Sequence, residues 1–218
     1  MHYNTVNPHL RSALHILMQA PIFDSFRLVG GTSLSLQIGH RLSVDIDLFT
    51  DADHGTINFD EIDKFLEDNF EGVQHTGNAI PGMGKSYFIT DDNLDTAATV
   101  KLDVYYSMEK FMQAPLIEDN IRMATVEEII AMKIDVVQRT GRKKDFWDIH
   151  AVMNQYTISD MIALHRLRYE WTHDRALILG NFLSFDSADH DLDPVCLRGN
   201  EWIFIKEDLE EAFRGEAL

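Results

Sequence analysis

Residues 30–49 read Gly30-Gly31-Thr32-Ser33-Leu34-Ser35-Leu36-Gln37-Ile38-Gly39-His40-Arg41-Leu42-Ser43-Val44-Asp45-Ile46-Asp47-Leu48-Phe49, and this run sets the fold class. Val44 to Phe49 alternates in the manner of a strand, with Val44, Ile46 and Leu48 expected on a core face and Asp45 and Asp47 on the other. A short helix is expected over Thr32 to Gly39, closed by its glycine, and a short strand over Phe26 to Gly30. Strand, glycine turn, helix and strand in that order mark an α/β architecture.

The chemistry of this run follows from its geometry. Two carboxylates on one strand face are costly to ionise together unless a cation lies between them, and hard oxygen ligands suit Mg²⁺. A third acid, Asp103, falls in Thr99-Val100-Lys101-Leu102-Asp103-Val104-Tyr105, where Val100, Leu102 and Val104 face the core and Asp103 the other side. Asp45, Asp47 and Asp103 are therefore candidate ligands of a two-ion site, the arrangement used for in-line displacement at phosphorus, and Asp103 is the candidate general base. Gly30 and Gly31 leave backbone N–H groups open to a phosphate at a helix N-terminus. Thr32 or Ser33 can add a hydroxyl, and Arg41 and Ser43 can reach the same phosphates.

Outward from this centre, residues 7–23 have helical apolar spacing before Pro21 interrupts it. Asn58 and Glu61 are spaced as a capping box for a helix to about Phe70, followed by extended segments at 72–76, 86–90 and 99–106. From Thr125, with Glu128 again in capping-box spacing, the pattern turns helical, with helices expected near 126–139, 143–154, 159–170, 174–182 and 206–214. The expected organisation is an α/β domain over residues 1–122, a mixed β-sheet flanked by helices, then a mainly helical domain over 123–218 that completes the cleft.

The run Gly30 to Gln37, followed by Gly39-His40-Arg41, Ser43 and Asp45-Ile46-Asp47-Leu48-Phe49, resembles the AbiEii/AbiGii toxin family of nucleotidyltransferases, in the polymerase-β-like superfamily. The resemblance implies a nucleotidyltransferase-type sheet and transfer of NMP from an NTP to an acceptor hydroxyl with release of pyrophosphate. It also implies a type IV toxin–antitoxin or abortive-infection role, a possible antitoxin partner, and an RNA acceptor such as a tRNA 3′ end. Family members carry a helical lysine and a downstream Lys-Asp pair, and Lys133 and Lys144-Asp145 stand at those places. The resemblance assigns Lys133 to the triphosphate. For Asp145 two readings remain, orienting a basic side chain or acting near the reacting hydroxyl, and a helix N-terminal acid favoured by the dipole. Asp148, one turn on, ranks below it.

The formal charge of −17 over 218 residues argues against a broad nucleic-acid-binding surface. An RNA must then enter locally, and Arg139, Arg142, Lys143 and Lys144 are the one concentrated basic segment. The tail from Ser184 carries ten acids against three bases, read as a solvated surface in preference to a docking face. A small-molecule (aminoglycoside-like) nucleotidyltransferase and a non-catalytic nucleotide- or partner-binding module are the competing classes. With one cysteine, Cys196, no long apolar run and no leader-like N-terminus, the expected location is the cytoplasm, without a membrane partner. Gly82-Met83-Gly84-Lys85-Ser86 imitates a P-loop, but Ala79 stands where its first glycine belongs, and a hairpin turn accounts for it.

Overall fold

The computed structural model describes residues 1–76, 82–91 and 98–216. A helix α1 (Pro8–Gln19) starts at Asn7, whose side chain accepts the Leu10 N–H, and Pro21 opens a separate 3-10 turn rather than prolonging the helix. Strand β1 (Arg27–Leu28), helix α2 (Gly30–Ile38) and strand β2 (Asp45–Thr50) follow, with Gly39 at φ +68 ending α2 in the left-handed conformation. Helix α3 (Phe59–Asn69), capped by Asn58, leads to β3 (Gly72–His75), β4 (Gly84–Asp91) and β5 (Ala98–Tyr106). The Gly84-Lys85-Ser86 run lies in β4, whereas Ala79 is outside the described residues.

A hairpin that the sequence reading missed comes next, β6 (Leu116–Glu118) and β7 (Ile121–Met123), joined through Asp119 and Asn120 at φ 50 and 63. Two successive left-handed residues match the right-handed twist of paired strands. The seven strands form one mixed sheet in the order β3-β4-β5-β2-β1-β7-β6, in which β2 runs parallel to β5 and β1 parallel to β7. Helices α4 (Val126–Thr140), α5 (Lys143–His150), α6 (Ile158–Arg168), α7 (Arg175–Phe182), α8 (Asp186–Asp189) and α9 (Trp202–Glu216) complete the chain. The expected α/β class with a mainly helical C-terminal part is what the structure shows. Besides the hairpin, the short helix α8 was not expected, α5 stops at His150, and α9 begins at Trp202, burying Ile205, Leu209 and Phe213.

Ile46 and Leu48 of β2 are fully buried beside Leu102 and Val104 of β5, together with Leu10, Leu14 and Leu17 of α1. Val44 corrects the expected alternation. It precedes the strand and is 61% exposed. A second apolar cluster joins Ile130, Ile134 and Val137 of α4 to Trp147, Ile162, Phe182 and Leu209, with Val29 and Leu34 bridging from around α2. Among the described residues no helix is long and apolar enough to cross a membrane.

A buried ion pair fastens this helical layer to the sheet. Arg168, at the end of α6, pairs with Glu128 in the first turn of α4 and also donates to Ser107 Oγ at 2.7 Å, just past β5. Arg168→Met leaves the Glu128 carboxylate buried without its cation and is expected to cost about 3 kcal/mol in urea denaturation, whereas Arg168→Met with Glu128→Met should recover part of that loss. A single variant as stable as the wild type would contradict this.

Candidate active site

The parallel register of β2 and β5 sets Asp45 opposite Lys101 and Asp47 opposite Asp103. The three expected carboxylates therefore share one sheet face; Asp45 and Asp47 line a cleft of about 510 Å³, and Asp103, next to Asp47, is not among its lining residues. Asp103 pairs with Lys101 through Oδ2, while its Oδ1 is buried with no hydrogen-bond partner among the described residues. Asp45 lies 3.6 Å from Lys144 Nζ. Burial, then the charges of Asp103 and Asp45, push the Asp47 carboxyl up to about 6.

The glycines serve these side chains first. A Cβ on Gly30, whose φ is +69, would stand 2.7 Å from Asp47 Oδ2, and one on Gly31 would overlap Arg41 Nη2. Helix α2 has no side-chain N-cap, and Gly30, Gly31 and Thr32 at its start line the cleft, so its N-terminal dipole faces the carboxylates' side of the cavity.

Thr32 Oγ1 and Ser43 Oγ are hydrogen-bonded to each other at 2.7 Å on the cleft wall. Ser33 departs from the expectation. Its hydroxyl is fully buried against the Ala124 carbonyl and Gln37, outside the cleft, because it lies on the side of α2 that packs toward the start of α4.

The largest departure concerns Asp148. It was expected to rank below Asp145, yet it is the hub behind Arg41 and Lys133, which line the cleft. Fully buried, it accepts from His40 Nε2 at 2.7 Å and from Arg41 through Nε at 2.6 Å and Nη2 at 2.9 Å, and it pairs with Lys133 Nζ at 2.6 Å. Burial pushes its carboxyl up, but Lys133 and Arg41 prevail and hold it well below the usual range. The same network keeps Lys133 charged: burial opposes its charge, and Asp148 and Asp145 raise its pKa. Asp145 does both things foreseen as alternatives, pairing with Lys133 at 2.7 Å and accepting the Arg142 N–H at the start of α5. The i, i+3 spacing of Asp145 and Asp148 on one helix was the available signal.

Of the basic segment, Arg139, Arg142 and Lys144 line the cleft. Lys143 does not, a correction to its grouping with the other three. It is buried, donating to the Asp191 carbonyl and to Asp193 at 2.8 Å, because the first turn of α5 turns it toward that acidic loop.

Among the described residues no three acidic or imidazole groups stand as a preformed metal cage. The residues nonetheless fit a hard divalent cation. Among the described residues Asp103 Oδ1 is an unmatched buried acceptor, and burial, then the charges of Asp103 and Asp45, raises the Asp47 carboxyl. Lys133 and then Lys101 oppose that shift at Asp47, while Lys101 pairs with Asp103 and Lys144 with Asp45 from positions more than a third exposed.

Comparisons with known proteins bear on the family and the fold. The sequence matches the family described as "Nucleotidyl transferase AbiEii toxin, Type IV TA system" over residues 12–214. An uncharacterised protein of Aquifex aeolicus, aq_aa25, is 24% identical over 217 residues, covering 94% of this chain and 92% of the relative. The fold resembles that of JHP933 from Helicobacter pylori, with TM-score 0.60 and 17% identity over 98% of this chain and 89% of the other. It also resembles MenT4, a nucleotidyltransferase toxin of Mycobacterium tuberculosis H37Rv, with TM-score 0.60 and 14% identity over 93% and 80%.

Two outcomes follow from the charges. In EDTA at pH 8, Asp47→Asn is expected to stabilise the protein by about 1–2 kcal/mol, since the repulsion is partly screened at the cleft wall. The folded pKa is raised, so the gain should vanish below about pH 4, where both states are protonated; a thermal melt that shows no pH-dependent gain would contradict it. Asp148→Asn is expected to cost about 3–5 kcal/mol at pH 7, by stranding Lys133 and Arg41. Asp148's folded pKa is lowered, so the wild type loses this advantage as pH falls from about 4 through that value. A melt series from pH 7 to pH 3 that leaves the difference unchanged would count against it.

Proposed function

The chain belongs to the AbiEii nucleotidyl transferase toxin family of type IV toxin–antitoxin systems, and we propose that it transfers NMP from an NTP to a hydroxyl of an RNA acceptor, the 3′ end of a tRNA being a suitable one. The observation that carries this reading is the pairing of Asp47 with Asp103 across β2 and β5, against the N-terminus of α2. Carboxylates crowded beside backbone donors suit a divalent cation and a polyphosphate together.

In this reading Asp45, Asp47 and Asp103 hold Mg²⁺, two ions being the natural complement of three carboxylates. When bound, Mg²⁺ supplies positive charge for the reacting phosphoryl group and lowers the pKa of the attacking hydroxyl. Gly30 and Gly31 present N–H groups to the phosphates, and the Thr32–Ser43 hydroxyl pair flanks them. Lys133, kept charged by Asp145 and Asp148, and Arg41, aimed by Asp148, face the same polyanion. The acceptor hydroxyl gives its proton to the Asp103 carboxylate, its oxygen bonds to the α-phosphorus, and the bond from that phosphorus to the pyrophosphate oxygen breaks. Residues 1–122 form the domain that carries the carboxylates and the glycine turn. Residues 123–218 form the one that closes the cleft with Lys133, Asp145, Arg139, Arg142 and Lys144. An antitoxin is the expected partner within such a system.

Each α-labelled NTP incubated with Mg²⁺ and total bacterial RNA tests this reading directly. Label on a discrete RNA is expected, reduced at least about 1000-fold by Asp47→Asn, the scale of losing a main electrostatic contributor to catalysis. Label on RNA that persists at the wild-type rate in Asp47→Asn would overturn the assignment of the carboxylates, and label on another acceptor would overturn the RNA.

A further inference from the structure

Beside the cleft mouth lies a feature that the transfer chemistry leaves unused. Trp171 is 88% exposed, Met108 76% and Leu167 69%. Met108 lines the cleft, while Leu167 and Trp171 line a shallow groove next to it, and Glu109 belongs to both. The other tryptophans behave ordinarily, Trp147 being buried and Trp202 half-buried.

An exposed tryptophan on a loose loop would carry little meaning, but this one stands on a turn fixed from below. Tyr169, which ends α6, returns its N–H to the His165 carbonyl at 2.8 Å and stacks on the His165 ring at 5.0 Å. Thr172 donates its N–H to the Tyr169 carbonyl, and its own carbonyl accepts from Gln138 at 3.0 Å. Arg168, next to it in sequence, is 5% exposed and binds Glu128, Ser107 Oγ and the Lys110 carbonyl. Glu128 in turn accepts the Met112 N–H at 2.8 Å. A buried guanidinium thus ties the turn carrying Trp171 to the loop carrying Met108, so the apolar side chains are held ready in solvent.

We propose that Trp171, with Leu167 and Met108 beside it, is a stacking platform for an unpaired base near the reacting end of the RNA acceptor; this rests on the transfer reading above and names how that site takes its second substrate. The charge around the mouth favours a nucleic-acid strand over an apolar peptide. Arg139, Arg142 and Lys144 line the cleft side, whereas on the groove side Lys110, with a side chain 70% exposed, stands beside Glu109 and Glu170, so the cations open to a strand are concentrated at the cleft in a protein whose net charge is −17. A strand crossing from groove to cleft would meet an aromatic face for its base and cations for its phosphates, the combination by which single strands are held without sequence readout. A duplex, with its bases stacked on each other, offers no free face to Trp171.

Intrinsic fluorescence and acceptor kinetics test the platform on the full chain. Because Trp171 is the fully exposed indole, short single-stranded oligoadenylate should quench the wild-type emission, and the same RNA in duplex form should not. Trp171→Ala should abolish the quenching and raise KM for the RNA acceptor about tenfold with KM for the NTP unchanged, and Trp171→Phe should restore most of the affinity. Labelling of RNA with an unchanged acceptor KM in Trp171→Ala, or absence of quenching by oligoadenylate, overturns the platform and assigns the patch to a protein partner. Turnover on a non-RNA acceptor likewise overturns it while leaving the phosphoryl chemistry in place. If no NTP is consumed with any acceptor, the transfer reading fails, and the quenching experiment still decides the platform.

Discussion

The repulsion between Asp47 and Asp103 is the constraint around which this molecule is arranged. Parallel pairing of β2 with β5 sets the two residues side by side, and the register cannot slip by one without turning Ile46, Leu48, Leu102 and Val104 out of the core. Apolar burial thus enforces an arrangement that electrostatics resists. The Asp47 carboxyl is raised to about 6, by burial first and then by the charges of Asp103 and Asp45. Lys133 and Lys101 relieve the repulsion in part, and a divalent cation between the carboxylates would relieve it further.

The second wall has the opposite electrostatic character. There one buried carboxylate, Asp148, serves three cationic or imidazole partners, from the segment before β2 and from α4. This network crosses between the sheet and the helical layer, and it fixes Arg41 and Lys133 in the cleft without neutralising them in excess. Gly31 belongs to the same device, because a side chain there would occupy the place of the Arg41 guanidinium. The cleft therefore opposes a wall short of positive charge to a wall whose cations are held in place, which suits a substrate bearing metal-bound phosphates.

Much of this was legible from local pattern. Alternation along Val44 to Phe49 and Thr99 to Tyr105 placed Asp45, Asp47 and Asp103 on one face, and capping residues located the starts of α3 and α4, because these signals act within a few residues. What escaped was set at long range. Asp148 looks like any helix acid until His40 and Arg41, more than a hundred residues earlier, are folded against it. Lys143 looks like its basic neighbours until the loop at Asp191 and Asp193 takes it away. The β6–β7 hairpin was hidden by its brevity, with Asp-Asn where a glycine would have signalled the turn. Val44 was misplaced because apolar character alone does not show where a strand begins.

In the proposed reading Asp45, Asp47 and Asp103 hold a divalent cation beside a nucleotide's phosphates, and Mn²⁺ binding followed by electron paramagnetic resonance is the decisive measurement. With a non-hydrolysable NTP analogue present, the wild-type protein should remove free Mn²⁺ from solution, and Asp47→Asn and Asp103→Asn, shown to be folded by circular dichroism, should each lose that binding. Equal Mn²⁺ uptake by the wild type and both variants would place the metal elsewhere and contradict the account.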